Sequence, residues 1–523
     1  MRATECASSD PTLSKPLNKE GPEGNGNYGE PQTGTKGETL ETAKGEPKAT
    51  GDGGKPTAEG VEGRGAAEGN PPERNMLRTQ DRAGMPSALG RIGEVARRDK
   101  KVRFTTLMHH VYDLDTLRGA YFGLKRDAAP GVDGATWREY GEHLDGNLQD
   151  LSERLKRGAY RAKPVRRVLI PKADGGVRPL GVTTLEDKIV QRATVEVLNQ
   201  IYEADFLGFS YGFRPGRSQH RALDALYVGI TEKKVNWVLD LDIRDFFGSI
   251  RHEWLVKFVE HRIADRRIVR LIQKWLRAGV LEDGKRIQTE QGTPQGGGIS
   301  PLLANIYLHY VLDLWAHAWR TRHARGEVVI VRFADDCVVG FQYEAEAKQF
   351  RADLAKRFAE YGLELHPDKT RLLEFGRFAA EDRKRKGRGK PENFDFLGFT
   401  HVCGKTRKGK FEVLRLTSRK RARRKLGAIK TELLRRLHRP IPEVGKWLGS
   451  VLLGHYNYYG VPQNGAALNS FRFHATRLWM RALCRRSQHT RVSWERMNRL
   501  VRRYLPPARI LHPYPNVRFR LCT

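Results

Sequence analysis

Apolar residues recur along this chain in two rhythms. Helical spacing relates Leu107, Val111, Leu114 and Leu117, followed by Leu124, and again Leu144, Leu148, Leu151 and Leu155; each set predicts a helix. Residues 186–202 read as a third. Shorter apolar runs bounded by turn residues predict strands. Residues 167–171 and 177–181, joined by the turn Ala173-Asp174-Gly175-Gly176, form a hairpin pattern. Residues 237–243 form a short β-prone run, and in residues 328–340 two apolar stretches flank an acidic dipeptide. Pro130-Gly131-Val132-Asp133-Gly134 is a loop. Strand and helix signals alternate to about residue 400, and beyond that the pattern is mainly helical. Leu426, Ile429, Leu433 and Leu437 form one apolar stripe there. The basic, Gly-containing stretch 377–390 reads as an exposed loop.

Residues 1–75 follow neither rhythm. They hold 14 Gly and 8 Pro but one aromatic residue, Tyr28. Such a segment buries too little apolar surface to offset its chain entropy, so a disordered leader is expected.

Charge sharpens the picture. The 523 residues carry 94 Lys+Arg against 61 Asp+Glu, a net of +33. The leader has 9 basic and 13 acidic residues, so the remaining 448 carry +37. That balance points to a polyanionic partner, most simply nucleic acid. No apolar run approaches the ~18–20 residues of a membrane span, and Met1 to Asp10 contain no secretory signal. The five cysteines (Cys6, Cys337, Cys403, Cys484, Cys522) include no Cys-x-x-Cys pair. This argues against a disulfide scaffold or zinc ribbon and suits a reducing cytoplasm.

The candidate chemistry is acidic. Asp240 and Asp242 are two apart in a β-prone run and should share a face, and Asp335-Asp336 sit between apolar strands. An isolated Asp-Asp is an ordinary turn, but carboxylates at strand ends in a basic chain need cations. Oxygen-rich sites of this kind suit Mg²⁺ completed by substrate phosphates, and two such ions can drive an in-line phosphoryl displacement. Between the two acidic sites, a Gly-rich run, residues 291–298, opens a helix at Ser300-Pro301. Close backbone approach and a helix N-terminus favour an anionic ligand.

Together these motifs resemble the reverse transcriptases encoded by bacterial group II introns. Phe333-Ala334-Asp335-Asp336 resembles their catalytic Tyr-Ala-Asp-Asp box, with Phe in place of Tyr. Asp242-Ile243-Arg244-Asp245-Phe246-Phe247 is similar to the first polymerase Asp motif. Thr293-Pro294-Gln295-Gly296 with Ile299-Ser300-Pro301 is similar to the nucleotide- and template-lining motif. Tyr211 to Ser218, Gly362 to Thr370 and Phe394 to Phe399 resemble the neighbouring blocks.

The resemblance implies an α/β right-hand polymerase, with fingers and an antiparallel-sheet palm, followed by an all-α thumb or maturase domain. The implied layout is a leader (1–75), an N-terminal helical extension (76–150), fingers and palm (151–400) and thumb/maturase (401–523). It implies Asp242, Asp335 and Asp336 as catalytic carboxylates holding two Mg²⁺ ions, with Mn²⁺ as a substitute. Asp240 is the rival for the first position. Lys172, Arg178, Asp245, Phe247, Gln295 and Lys369 would bind nucleotide, with Phe247 sensing the 2′-OH. Phe396, Leu397, Gly398, Arg421, Arg424, Lys425 and Tyr456 would bind primer or RNA. Of Tyr456, Tyr458 and Tyr459, at least two are expected in the core. Implied partners are group II intron RNA, an RNA template with DNA primer, dNTPs and a DNA target site, with a bacterial cytoplasmic, nucleic-acid-associated location. The chain ends at Thr523 without a paired-Cys framework, implying a type lacking the DNA endonuclease. Alternatives are a domesticated or defence-associated reverse transcriptase, and an RNA-binding splicing factor without polymerase activity.

Overall fold

In the computed structural model, residues 88–171, 177–282, 285–287, 291–292, 296–486 and 491–518 are described. The expected leader, the turn 173–176, Lys172 and Gln295 lie outside them. All described residues belong to one compact unit, Gly60–Thr523.

Eleven strands occur among the described residues: β1 (Val165–Pro171), β2 (Val177–Val182), β3 (Trp237–Leu241), β4 (Val280–Glu282), β5 (Lys285–Ile287), β6 (Val328–Phe333), β7 (Asp336–Phe341), β8 (Arg371–Glu374), β9 (Phe394–Phe396), β10 (Phe399–Lys405) and β11 (Phe411–Thr417). They form three sheets. The central one, in the order β6-β7-β3-β8, is antiparallel throughout. A second, β2-β1-β4-β5, contains the expected β1–β2 hairpin and one parallel pairing, β1 with β4. The third runs β11-β10-β9.

Alternation along the central strands explains why the central sheet is covered on both faces. Leu239, Val339 and Phe341 point into the main core, with Ile189, Val197 and Ile201 from the helix Leu185–Asp205 and Phe350 and Leu354 from the helix Glu344–Glu360. Val238, Val331 and Val338 point the other way and meet Leu226, Phe394, Phe396 and Phe399. A third core lies within the C-terminal helices Ile441–Tyr459, Gly465–Cys484 and Trp494–Tyr504, around Leu448, Phe471, Trp479 and Met497.

Three sequence expectations change. The first apolar set forms two helices, Met108–Tyr112 and Leu114–Phe122, broken at Asp113, whose carboxylate caps the second by accepting from Thr116 N–H. Leu114 is consequently exposed. The stretch 377–390 contains the helix Ala379–Arg385; most of its cations are exposed as expected, and three of them reach back to the sheet. Lys386 Nζ lies 2.9 Å from the buried Glu374 carboxylate, with Arg383 and Arg388 at 3.8 and 3.9 Å. The expectation of mainly helix beyond residue 400 fails for β10 and β11, so strand structure continues to Thr417. There, half-buried positions alternate with buried ones and supply the strand rhythm.

A buried ion cluster ties distant segments together. Asp224, on the helix Gln219–Glu232, is fully buried. Its carboxylate accepts from Arg415 on β11 at 2.8 Å and from Arg518 on the last described helix, Pro515–Arg518, at 2.6 Å.

Candidate active site

The acidic dipeptide is built on a tight turn. Phe333 of β6 pairs with Asp336 of β7, which leaves Ala334-Asp335 as the two-residue connection. Asp336 is therefore the first residue of β7 rather than part of the tip. Ala334 has φ +56°, a left-handed conformation that costs a residue with a Cβ about 1–2 kcal/mol.

Arg332 holds that turn. It is fully buried, and a guanidinium offers five N–H donors. Nε donates to Asp313 Oδ1 at 2.7 Å and Nη2 to Asp313 Oδ2 at 2.5 Å. Nη1 donates to Asn305 Oδ1 at 3.0 Å and to the Ala334 carbonyl at 2.9 Å, and Nη2 also donates to Ser210 Oγ at 2.7 Å. Every donor is engaged, so the buried charge is paired and its geometry fixed. Asp313 closes a π-helical turn, His309–Asp313, between the helices Ser300–Leu308 and Leu314–Arg322. Such turns often mark functional sites.

The block 211–218 backs the same turn. Tyr211 N–H donates to the Arg332 carbonyl at 2.8 Å, and Asn305 Nδ2 donates to the Gly212 carbonyl at 2.7 Å. A Cβ on Gly212 would lie 2.2 Å from Ala334 N, so a glycine is needed for the two backbones to approach. Phe213 is left exposed, its ring centroid 6.4 Å from that of Phe333.

Asp242 follows the last residue of β3. Leu241 pairs with Cys337, so continuing the register sets Asp242 level with Asp336. Strand alternation then gives Asp240, Asp242 and Asp336 one common face, that of Val238 and Val338. The backbone of Asp242 is pinned, its carbonyl accepting from His366 N–H at 2.8 Å and Thr370 Oγ at 3.1 Å. Lys369 Nζ stands 3.6 Å from its carboxylate. The rival Asp240 lies inside the sheet between Val338 and Arg371. Its carboxylate is 3.6 Å from the Arg371 guanidinium, and burial, partly countered by Arg371, pushes its pKa up to about 6. Cys337, next to Asp336 in sequence, is buried, and burial raises its thiol pKa to about 12, so it stays protonated.

The remaining predicted residues divide. Asp245, at φ +39°, precedes the short helix Phe246–Ser249 and is exposed. Phe247 is half-buried against the main core, whereas Phe246 is fully inside it. Arg178 pairs through its backbone with Ile170 across the β1–β2 hairpin. Leu397 and Gly398 form the β9–β10 turn, both with positive φ (+47° and +84°), the pattern of a type I′ hairpin. Phe396 and Leu397 are buried, so their side chains pack rather than face a ligand. Arg421 reaches Gly398, where an added Cβ would lie 2.8 Å from its Nη1, and the Leu397 carbonyl accepts from the Tyr458 hydroxyl at 2.7 Å. Arg424 is exposed and Lys425 half-buried on the helix Arg419–Arg435. Tyr456 is a correction. Its ring is 1% exposed inside the helical core, so it offers no face to a base. Tyr458 and Tyr459 are half-buried against the second core.

Arg332, Asp313, Asn305 and Thr370 were not anticipated. The signal was a lone Arg within an apolar strand run, which a buried strand tolerates only with partners.

Among the described residues, no group of three or more His, Cys, Asp or Glu side chains forms a ready-made ion cage. The donors that gather at the end of the central sheet are all carboxylate oxygens, with Lys369 as their cation. That chemistry fits Mg²⁺, which leaves much of its shell to water and substrate phosphates.

Comparison with known proteins places these features. The family described as "Reverse transcriptase (RNA-dependent DNA polymerase)" matches residues 170–401, which include β3, the Ala334 turn and the β9–β10 turn. Protein YkfC of Escherichia coli (strain K12) is 33% identical over 329 residues, covering 56% of this chain and 81% of that protein. The group II intron-encoded protein LtrA of Lactococcus lactis subsp. cremoris is 36% identical over 231 residues, or 43% of this chain and 38% of LtrA. The uncharacterized 91 kDa protein in the cob intron of Schizosaccharomyces pombe is 36% identical over 232 residues, 43% of this chain and 28% of that protein. The chain thus spans most of the first relative but well under half of the two intron proteins.

Proposed function

The chain belongs to the reverse transcriptases encoded by group II introns, and from that premise we propose that it copies RNA into DNA at Asp242, Asp335 and Asp336. The observation that carries this reading is the register of β3 on β7, Leu241 opposite Cys337, which sets Asp242 level with Asp336 at one end of the central sheet, beside a turn clamped by Arg332. Asp240, inside the sheet and facing Arg371, is a supporting acid in this reading.

Two Mg²⁺ ions, or Mn²⁺ in their place, would be held by these three carboxylates and supply the positive charge that stabilises the attacking 3′-oxygen and the leaving pyrophosphate. The protein's own part is positioning. Thr370 and the backbone of His366 fix Asp242. Arg332 and Gly212 fix the Ala334 turn and hence Asp335 and Asp336. Lys369, half-exposed and next to Asp242, is within reach of an incoming triphosphate, as Lys172, Arg178 and Gln295 are in the family resemblance. Phe247 borders the sugar, and Asp245 lies beside it. The turn Leu397-Gly398 and Arg421 would guide the primer end.

In the same reading the parts form a right hand: fingers around β1–β2 and the N-terminal helices, a palm on the central sheet, and a thumb/maturase region over residues 401–523, whose helices begin after β11. That region would bind the intron RNA and promote splicing and retrohoming to a DNA target, in a bacterial cytoplasm. Among the described residues no helix is long and apolar enough to cross a membrane.

Primer extension on an RNA template tests the site. Wild type should incorporate dNTPs with Mg²⁺, and Asp335→Asn/Asp336→Asn should lose at least about 10³-fold in rate, the order expected when a main electrostatic contribution is removed. Intron RNA binding should persist in that variant. Equal extension by both proteins would refute the assignment.

A further inference from the structure

Two aromatic side chains of the C-terminal helices remain in solvent. Phe473, on the helix Gly465–Cys484, is 50% exposed, and Trp494, which begins the helix Trp494–Tyr504, is 44% exposed. Neither belongs to the apolar stripe of its helix. Phe471, Ala475 and Trp479 bury one face of the first, and Met497 and Val501 bury one face of the second. The two exposed rings instead align with each other, parallel within 4° and with centroids 6.3 Å apart. Arg477, one turn beyond Phe473, lays its guanidinium 5.7 Å from that ring's centroid. Arg481 continues the same exposed row, and Arg491 and Arg496, both exposed, flank Trp494. The adjacent acid, Glu495, lies 3.5 Å from Arg499.

Exposed flat rings amid one-signed positive charge match one ligand chemistry. An unpaired nucleobase stacks its face on aromatic rings while its phosphates meet arginines. Aromatic rings and arginines also serve protein interfaces, but four exposed arginines whose one adjacent acid, Glu495, is held by Arg499 favour a polyanion, and a duplex presents no free base face. We propose that Phe473, Trp494 and Arg477 form a stacking platform for an unpaired base of the RNA bound by the C-terminal helices. This rests on the RNA-binding reading above and adds the single-stranded element that reading leaves open.

The test compares full-length wild type with Phe473→Ala/Trp494→Ala, using fluorescence anisotropy. The probes are a mixed-sequence single-stranded RNA about a dozen nucleotides long and a duplex RNA of the same length. Affinity for the single strand should fall about 5- to 100-fold, with duplex affinity unchanged, and Phe473→Tyr/Trp494→Phe should restore it. Primer extension at saturating primer–template should match wild type. Unchanged single-strand affinity overturns the platform, whatever the polymerase assay reads. An equal loss for both probes overturns it too, because that marks a general basic patch. So does a change of oligomeric mass by light scattering with RNA binding intact, which marks a protein interface. A selective loss of single-strand binding in a protein that does not extend primers would retain the platform and reject the polymerase reading.

Discussion

Arg332 has an acceptor for each of its five donors, and one of these is the carbonyl of the strained Ala334. Asp313 neutralises it at zero exposure. Removing one member of such a buried pair strands the other charge, at a cost of about 3–5 kcal/mol, whereas apolar replacement of both is often near neutral. Arg332→Met should therefore lower the urea midpoint strongly, and adding Asp313→Leu should restore most of it. Nucleotide incorporation should stay low in the double variant because the Ala334 carbonyl then loses the guanidinium donor that grips it. Wild-type single-turnover rates in that protein would show that the turn needs no clamp. The candidate acids were legible in sequence because two strand-like runs carry them and a motif surrounds them. The preference for Asp242 over Asp240 comes from the motif resemblance, to which the structure adds that Asp242 follows the end of β3 whereas Asp240 lies inside it; Arg332 needed its side-chain partners, 19 to 122 residues away. Tyr456 misled because helical spacing marks aromatic residues as core or surface only once the stripe's direction is known.

At the scale of elements, amphipathic periods located several helices, including Leu144–Lys156 and Arg419–Arg435, whose buried residues belong to the predicted stripes. The pattern failed where a polar cap interrupts an apolar series, at Asp113, and where burial alternates but hydropathy does not, at β11, which buries Arg415 and Thr417 and leaves Leu414 and Leu416 half-buried. Burial also imposes a pH dependence on single elements. His455, on the helix Ile441–Tyr459, stacks on Phe471 with centroids 3.7 Å apart. Burial, reinforced by Lys425, lowers its pKa to about 3. The unfolded chain binds a proton at this histidine below its ordinary 6.5, and the folded chain does not. Its contribution to stability is thus complete above pH 6.5 and is lost as pH falls toward 3, by about 1.4 kcal/mol per pH unit. His455→Phe should lose about 2 kcal/mol less than wild type between pH 7.5 and 5 in chemical denaturation. Parallel pH profiles for the two proteins would refute that origin.

Over the whole molecule, the net charge of +33 is divided between cations used internally and cations facing solvent. Arg435 and Arg436 flank Glu432, and Lys386 faces Glu374, so they contribute little to an outward field. Arg419, Lys420, Arg423, Arg424 and Lys430 are exposed on one helix. If they meet RNA phosphates, Arg423→Gln/Arg424→Gln/Lys430→Gln should flatten the slope of log affinity against log salt by about 2, at ~0.7 per phosphate. An unchanged slope would place the RNA elsewhere. The Asp224 cluster has a different consequence, in time rather than in energy. Its carboxylate is buried between Arg415 and Arg518, the latter 294 residues further along the chain. At about 5–20 residues per second of synthesis, the ribosome needs roughly 15–60 s to travel from one to the other. Throughout that interval the central region carries an acid destined for full burial whose second counter-charge does not yet exist. Closure therefore waits for Arg518 to leave the ribosome, and until then the nascent chain is exposed to proteases and chaperones.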